Sequence, residues 1–195
     1  NDEKLEIFLV ARDLFLNNGY EAIAMDHFAL KEDEMAQAFR QGTLHRNFMG
    51  YTVKPADEYI GIGTSAIGFL EGAYFQNYKT IPEYYGILDK GDLPIERGMV
   101  LSEDDHIRGW VINKLMCKFS IDKDDFKKTF GRNFDEYFKE EKDHLRWCVE
   151  EKLCEILPNR IETTELGKIF IRNICMGFDW YLRQQDAHRK FSRTV

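Results

Sequence analysis

Two short runs hold most of the side chains suited to chemistry. Residues 25–29 (MDHFA) and 44–51 (LHRNFMGY) bring together His27, His45, Arg46, Asn47 and the aromatics Phe28, Phe48 and Tyr51. Arginine forks onto carboxylates and aromatic faces stack on rings, so this mixture suits an anionic or flat ligand. Taken singly, His27 and His45 read equally well as hydrogen-bonded structural residues beside a strand. A third run, residues 61–68 (GIGTSAIG), has the glycines of a loop whose backbone amides and carbonyls approach a nucleoside. It lacks both the G-x-G-x-x-G pattern and the Lys-Ser/Thr ending of a phosphate loop, so a tight structural turn is at least as good a reading.

Other chemistries find less support. No nucleophilic triad can be argued, and the acidic pairs Asp104-Asp105 and Asp124-Asp125 stand at expected helix starts, where capping accounts for them. Cys117, Cys148, Cys154 and Cys175 show neither C-x-x-C nor His-paired spacing, so no metal ligand is expected among them and reduced thiols are the expected state. The basic residues Arg183, His188, Arg189, Lys190 and Arg193 read mostly as a solvated face. Met176, Phe178, Trp180 and Tyr181 read as core or domain interface.

The elements that must position these residues change character along the chain. Residues 3–18 place Leu5, Phe8, Leu9, Arg12, Phe15 and Leu16 at helical spacing with no preceding cap, as a cut within a larger protein would leave them. Gly19 stops that helix, and residues 20–30 read as a strand running into a loop. A second helix over 32–41 is closed by Gly42, and residues 45–53 read as extended or irregular. Residues 59–72 read as a strand delivering its carboxyl end into the glycine loop, the usual place for ligands in α/β folds. From Ser102, with Glu103, Asp104 and Asp105 as a helix start, the pattern is almost entirely helical. Segments over 123–129, 134–151 and 164–182 are separated by Gly131 and the Pro158-Asn159 turn, and residues 153–167 read as a small winged hairpin. A domain boundary is placed near residue 100.

The chain has 195 residues, 44% hydrophobic and 14% aromatic, enough to supply a core. A net charge of −7 argues against nucleic acid as the main partner. No apolar run approaches the roughly 20 residues that cross a bilayer, so a soluble, cytoplasmic protein without a membrane span is expected.

At residues 25–29, 44–52 and 61–68, and again at 171–184 (IRNICMGFDWYLRQ) with 190–193 (KFSR), the sequence resembles the C-terminal portion of oxygen-independent coproporphyrinogen III oxidase, a radical SAM family of haem (porphyrin) biosynthesis. Related haem chaperone-like radical SAM proteins lack the HRNF-x-GY motif, which favours the oxidase. The resemblance implies an α+β fold, with the C-terminal end of a partial (β/α) radical SAM barrel over residues 1–100 and a mainly α-helical C-terminal domain over 101–195. It implies an oxidoreductase that holds a 4Fe-4S cluster through C-x-x-x-C-x-x-C and reductively cleaves S-adenosylmethionine. The resulting radical takes hydrogen from two propionates of coproporphyrinogen III, which lose carbon dioxide and become the vinyls of protoporphyrinogen IX.

None of the four cysteines has the cluster spacing. The cluster and the catalytic residues are therefore expected in the missing N-terminal part of the same protein, and this piece alone is expected to be inactive. Carried over residue by residue, Ile67 matches a position contacting the S-adenosylmethionine on the cluster. Phe48 and Met49 match positions near a second S-adenosylmethionine or the substrate side. Some members carry glutamine at Met49, so that hydrogen bond is lost here. His45, Arg46 and Arg193 are assigned to the substrate side, with either arginine suited to a propionate. An electron donor, unidentified by the sequence, completes the implied partners. The alternative is a non-catalytic binding or interaction module built on the winged half.

Overall fold

The computed structural model describes residues 2–184. Helix α1 (Asp2–Asn17) leads into the hairpin β1 (Tyr20–Ala24) and β2 (His27–Leu30), then α2 (Glu34–Gln41) and a second hairpin, β3 (His45–Asn47) and β4 (Gly50–Thr52). Next come β5 (Ile67–Leu70), β6 (Ala73–Asn77), α3 (Ile81–Leu88) and β7 (Ile95–Val100). The long helix α4 (Glu103–Lys118) is followed by β8 (Ser120–Asp122), α5 (Lys123–Phe130), α6 (Phe134–Tyr137), a 3-10 turn (Lys139–Glu141) and α7 (Lys142–Glu150). The hairpin β9 (Cys154–Ile156) and β10 (Arg160–Thr163) precedes α8 (Glu165–Ile169), α9 (Ile171–Met176) and α10 (Trp180–Gln184).

The class is α+β, and every strand pairing among the described residues is antiparallel. The segments read from sequence as a strand running into a loop are corrected accordingly. Residues 20–30 fold back on themselves, because Met25 adopts a left-handed backbone at φ 45° and lets β2 pair with β1. In residues 59–72 the loop comes first and β5 follows it. The six-residue strand β7 went unread, since IERGMV shows no alternation of apolar and polar residues.

The chain divides into two compact units, residues 1–53 with 108–195, and residues 54–107. This differs from a single boundary near residue 100. The reason lies in the first hairpins, which pack with the later helices: Tyr51 donates to the Met116 carbonyl at 2.9 Å, and the Phe39 ring meets Phe119 edge-on at 5.9 Å.

In the larger unit local chemistry fixes the helix ends. Asp33 accepts from the Met35 amide and Gly42, at φ 68°, ends α2; Asp122 caps α5 through the amides of Asp124 and Asp125, and Gly131, at φ 67°, ends it. Asn133 and Thr164 cap α6 and α8 in the same way. β10 lies between β8 and β9 in one three-stranded sheet, and β9 with β10 forms an antiparallel hairpin. The stretch read as one helix over 164–182 is three short ones, broken at Phe170 and Gly177. Gly177 lies so close to the His144 ring that a Cβ there would stand 1.9 Å from it.

Phe126, Phe134, Phe138 and Phe178, all buried, form an aromatic cluster in which Phe134–Phe138 and Phe138–Phe178 centroids lie 4.8 and 5.1 Å apart. Against it sits Glu141, whose side chain is 1% exposed; its Oε1 accepts from Arg108 at 2.8 Å and from Arg183. Arg108 also donates to the Phe178 carbonyl at 3.2 Å and lies over the Phe138 and Trp180 rings. Removing one member of such a buried pair leaves an uncompensated charge. Glu141→Ala is expected to lower stability by about 3 kcal/mol, read as a fall in unfolding midpoint, whereas Glu165→Ala at an exposed pair should move it by less than about 1 kcal/mol.

Candidate functional site

The β3–β4 hairpin presents four of the residues singled out from sequence. His45 pairs with Thr52, Arg46 with Tyr51 and Asn47 with Gly50, leaving Phe48 and Met49 as the two-residue tip. The Asn47 side chain accepts from the Met49 amide at 2.9 Å, and Met49 is 94% exposed. Gly50 has φ 137°, and a Cβ on it would stand 3.3 Å from His27 Nε2, so the tip packs directly on the turn of the first hairpin. There His27 Nδ1 lies 2.9 Å from an Asp26 carboxylate oxygen, and its ring meets Tyr51 edge-on at 5.0 Å. The runs 25–29 and 44–51 thus form one surface.

Arg46 is the electrostatic centre of this surface. It is half-buried, its guanidinium stands 5.2 Å from the Tyr51 ring centre, and Nη1 donates to the Asn47 carbonyl at 3.3 Å. Its Nε is buried with no hydrogen-bond partner, and no carboxylate pairs with it among the described residues. Its charge reaches inward: burial raises the Tyr51 phenol above its ordinary value and pushes the Cys117 thiol up to about 11, while Arg46 pulls both the other way. Burial also raises the Cys175 thiol, again against Arg46.

In the other unit, residues 59–66 run into β5. Tyr59 bridges to Phe69, and Ser65, at φ 57°, donates its amide to the Tyr78 carbonyl at 2.8 Å. Ile67 opens β5, half-buried and paired with Gln76. A Cβ on Gly61 would stand 2.7 Å from the Ile67 carbonyl oxygen, so glycine is required there. One face of this loop borders an apolar cavity of about 600 Å³, lined by Ile60, Ile62, Phe75, Tyr84, Leu93 and Ile95 among others.

Against known proteins, residues 101–170 match the description HemN C-terminal domain. Over its whole length the chain is similar to oxygen-independent coproporphyrinogen III oxidases: 39% identical to that of Synechocystis sp., covering 100% of this chain and 42% of that protein. The Salmonella typhimurium enzyme is 40% identical over 193 residues, with 99% of this chain and 42% of that protein covered. Among solved structures, coproporphyrinogen III oxidase (HemN) from Escherichia coli, described as a radical SAM enzyme, superposes with a TM-score of 0.88 at 38% identity, covering 92% of this chain and 42% of that one. The chain therefore spans about 42% of the length of these relatives.

Set beside the HemN likeness, the four cysteines do not fit a 4Fe-4S cluster. Cys117, Cys148, Cys154 and Cys175 are all buried, on α4, α7, β9 and α9, and Cys148 Sγ lies 3.5 Å from His144 Nε2. No three or more His, Cys, Asp or Glu side chains among the described residues could together hold a metal ion. No described helix is long and apolar enough to cross a membrane. Of the site residues read from sequence, His45, Arg46, Phe48 and Met49 share one hairpin, Ile67 belongs to the other unit, and Arg193 lies outside the described residues. Asp26, the partner of His27, and Asn77, buried at the end of β6, were passed over; only their place beside MDHFA and the glycine loop hinted at them.

Thiols buried among apolar neighbours and raised in pKa react slowly. At pH 8 under native conditions Cys117 and Cys175 should stay unmodified by a maleimide over minutes and become labelled on unfolding, with mass spectrometry of the peptides as the check.

Proposed function

We propose that this chain is part of an oxygen-independent coproporphyrinogen III oxidase, the oxidoreductase that converts two propionates of coproporphyrinogen III to the vinyls of protoporphyrinogen IX in haem biosynthesis. The observation that carries the reading is similarity along the entire chain, at 38–40% identity, to proteins of that one name, joined to a TM-score of 0.88 with the Escherichia coli structure. The HRNFMGY hairpin supplies the chemical support, because Arg46 is a half-buried cation with no carboxylate partner among the described residues, suited to a substrate made of carboxylates.

In this reading S-adenosylmethionine, bound to a 4Fe-4S cluster, supplies the radical that starts hydrogen abstraction, and the rest of a longer protein holds the cluster. This chain's residues bind and orient. Ile67 packs on the adenine of that S-adenosylmethionine, and the exposed Phe48 and Met49 line the second cofactor position or the substrate side. Arg46 takes a propionate, with His45 beside it and Arg193 as a second cation. The chain adds to the wall and the cover of the catalytic cavity. Exposed Ile7, Val10 and Leu14 on α1, and Ile62, Leu93 and Val100 in the other unit, are the apolar surface that the N-terminal part of the protein would cover. The protein works in the cytoplasm and takes electrons from a donor not yet identified.

A second reading, a non-catalytic interaction module with a winged-helix-like half, draws on the three-stranded sheet β8–β10–β9. A net charge of −7 weighs against nucleic acid as its target, and salt-dependent DNA binding would be needed to revive it.

The deciding experiment is anaerobic turnover of the full-length protein, reconstituted with iron and sulfide and supplied with S-adenosylmethionine, a reductant and coproporphyrinogen III, following loss of two carboxylates by mass. Product is expected; intact cofactor cleavage without decarboxylation would assign a different substrate. In the same assay Arg46→Ala should raise KM for coproporphyrinogen III about tenfold, the worth of one charge-assisted contact. An unchanged KM would remove Arg46 from the substrate side.

A further inference from the structure

We infer that Asn77 is a positioning residue: its buried carboxamide locks residues 61–66 in the conformation that presents Ile67, and affinity for S-adenosylmethionine depends on that lock. The inference rests on the reading of Ile67 proposed above.

Asn77 ends β6 and is only 5% exposed. Its Nδ2 donates to the Gly61 carbonyl at 3.1 Å and to the Gly63 carbonyl at 2.9 Å, so both amide protons go to one loop. Its backbone N–H donates to the Ala66 carbonyl at 2.9 Å. One residue therefore satisfies three carbonyls of a segment that has no ladder of its own. Asparagine is suited to this task, carrying two donors on a single-methylene stem. Aspartate would turn acceptors toward two carbonyls, and alanine would leave those carbonyls without partners.

The loop is also fixed from other directions, which makes its conformation specific rather than merely closed. The Gly63 amide donates to the Tyr84 hydroxyl at 3.2 Å, Gln76 Nε2 donates to the Ser65 carbonyl at 3.0 Å, and Ser65 is held in the left-handed region at φ 57°. Gly61 lies against the backbone of Ile67, where a Cβ would stand 2.9 Å from the Ile67 nitrogen. A shift of the loop at Gly61 is thus a shift at Ile67. Held from β6, the loop meets a ligand already in one conformation and loses little entropy on binding.

The test uses the full-length protein with Asn77→Ala, Asn77→Asp and Asn77→Ser. Two readouts are taken: amide hydrogen exchange of residues 61–66, and steady-state S-adenosylmethionine cleavage to deoxyadenosine. Exchange in the loop should quicken at least about tenfold in Asn77→Asp, the same-sized side chain without the donors. KM for S-adenosylmethionine should rise about tenfold in Asn77→Ala and Asn77→Asp, with kcat at saturation within about twofold. Asn77→Ser, which keeps one donor, should fall between them and the parent, and it carries the test if the harsher variants do not accumulate. Unaltered loop exchange in the variants overturns the lock. Faster exchange with KM unmoved, or a loss of kcat or of stability alone, overturns its link to the cofactor. If the parent protein itself cleaves no S-adenosylmethionine, the functional reading falls and with it that link, while the exchange arm still decides whether Asn77 holds the loop.

Discussion

A carboxylate taken out of water must be met by opposite charge and by hydrogen bonds, or it destabilises the fold by several kcal/mol. Glu141, with its side chain 1% exposed, meets this demand with two guanidiniums, one from α4 and one from α10. Arg108 then reaches the Phe178 carbonyl and lies over the Phe138 and Trp180 rings, so the ion cluster and the phenylalanine core are a single packing problem. Both arginines donate to one oxygen, Oε1, from different helices, while Oε2 is buried without a partner among the described residues, and the shared oxygen fixes where those helices stand more sharply than apolar contact does. The short helices α8 to α10 need such fixing, because none is long enough to be stable by itself.

Much of this architecture was legible because its signals are local. Asp33 and Gly42 bracket α2, Asp122 and Gly131 bracket α5, and the Pro158-Asn159 turn joins two strands, each readable from a few neighbouring residues. The hairpins were only half legible. Met25-Asp26 and Phe48-Met49 are not the Asn-Gly or Asp-Gly turns that announce a two-residue connection, and they reverse the chain by other means. Glu141 looked like one of many acidic residues on the charged face of a helix over 134–151, and its arginines are 33 and 42 residues away in sequence. Asn77 likewise sat in a stretch to which the sequence assigned no element. Its importance lies in two carbonyls 14 and 16 residues upstream, a relation that no spacing rule reports.

The site residues show the same division between type and place. The sequence singled out the two runs that hold His27, Arg46 and Tyr51 by the kinds of residue they carry. What composition could not give is that Arg46 turns part of its length inward, beneath the hairpin toward Tyr51 and the charge-sensitive Cys117 and Cys175. Nor could it give the way Gly50 drops the hairpin tip onto His27.

That inward turn bears on why an arginine is kept there at all. A guanidinium half-removed from water with a buried, unpartnered Nε costs stability, and the Tyr51 face and one long bond to a carbonyl return only part of it. A neutral side chain of similar length would pack the same space at lower cost. The cation is therefore poorly explained as a stabilising element, and in the function proposed above it is a charge held ready, its stem fixed by packing so that little ordering remains when an anion arrives. An exposed lysine would bind the same anion at greater loss of side-chain entropy and with less control of direction. Rigid placement matters most where an anion must be held in one orientation.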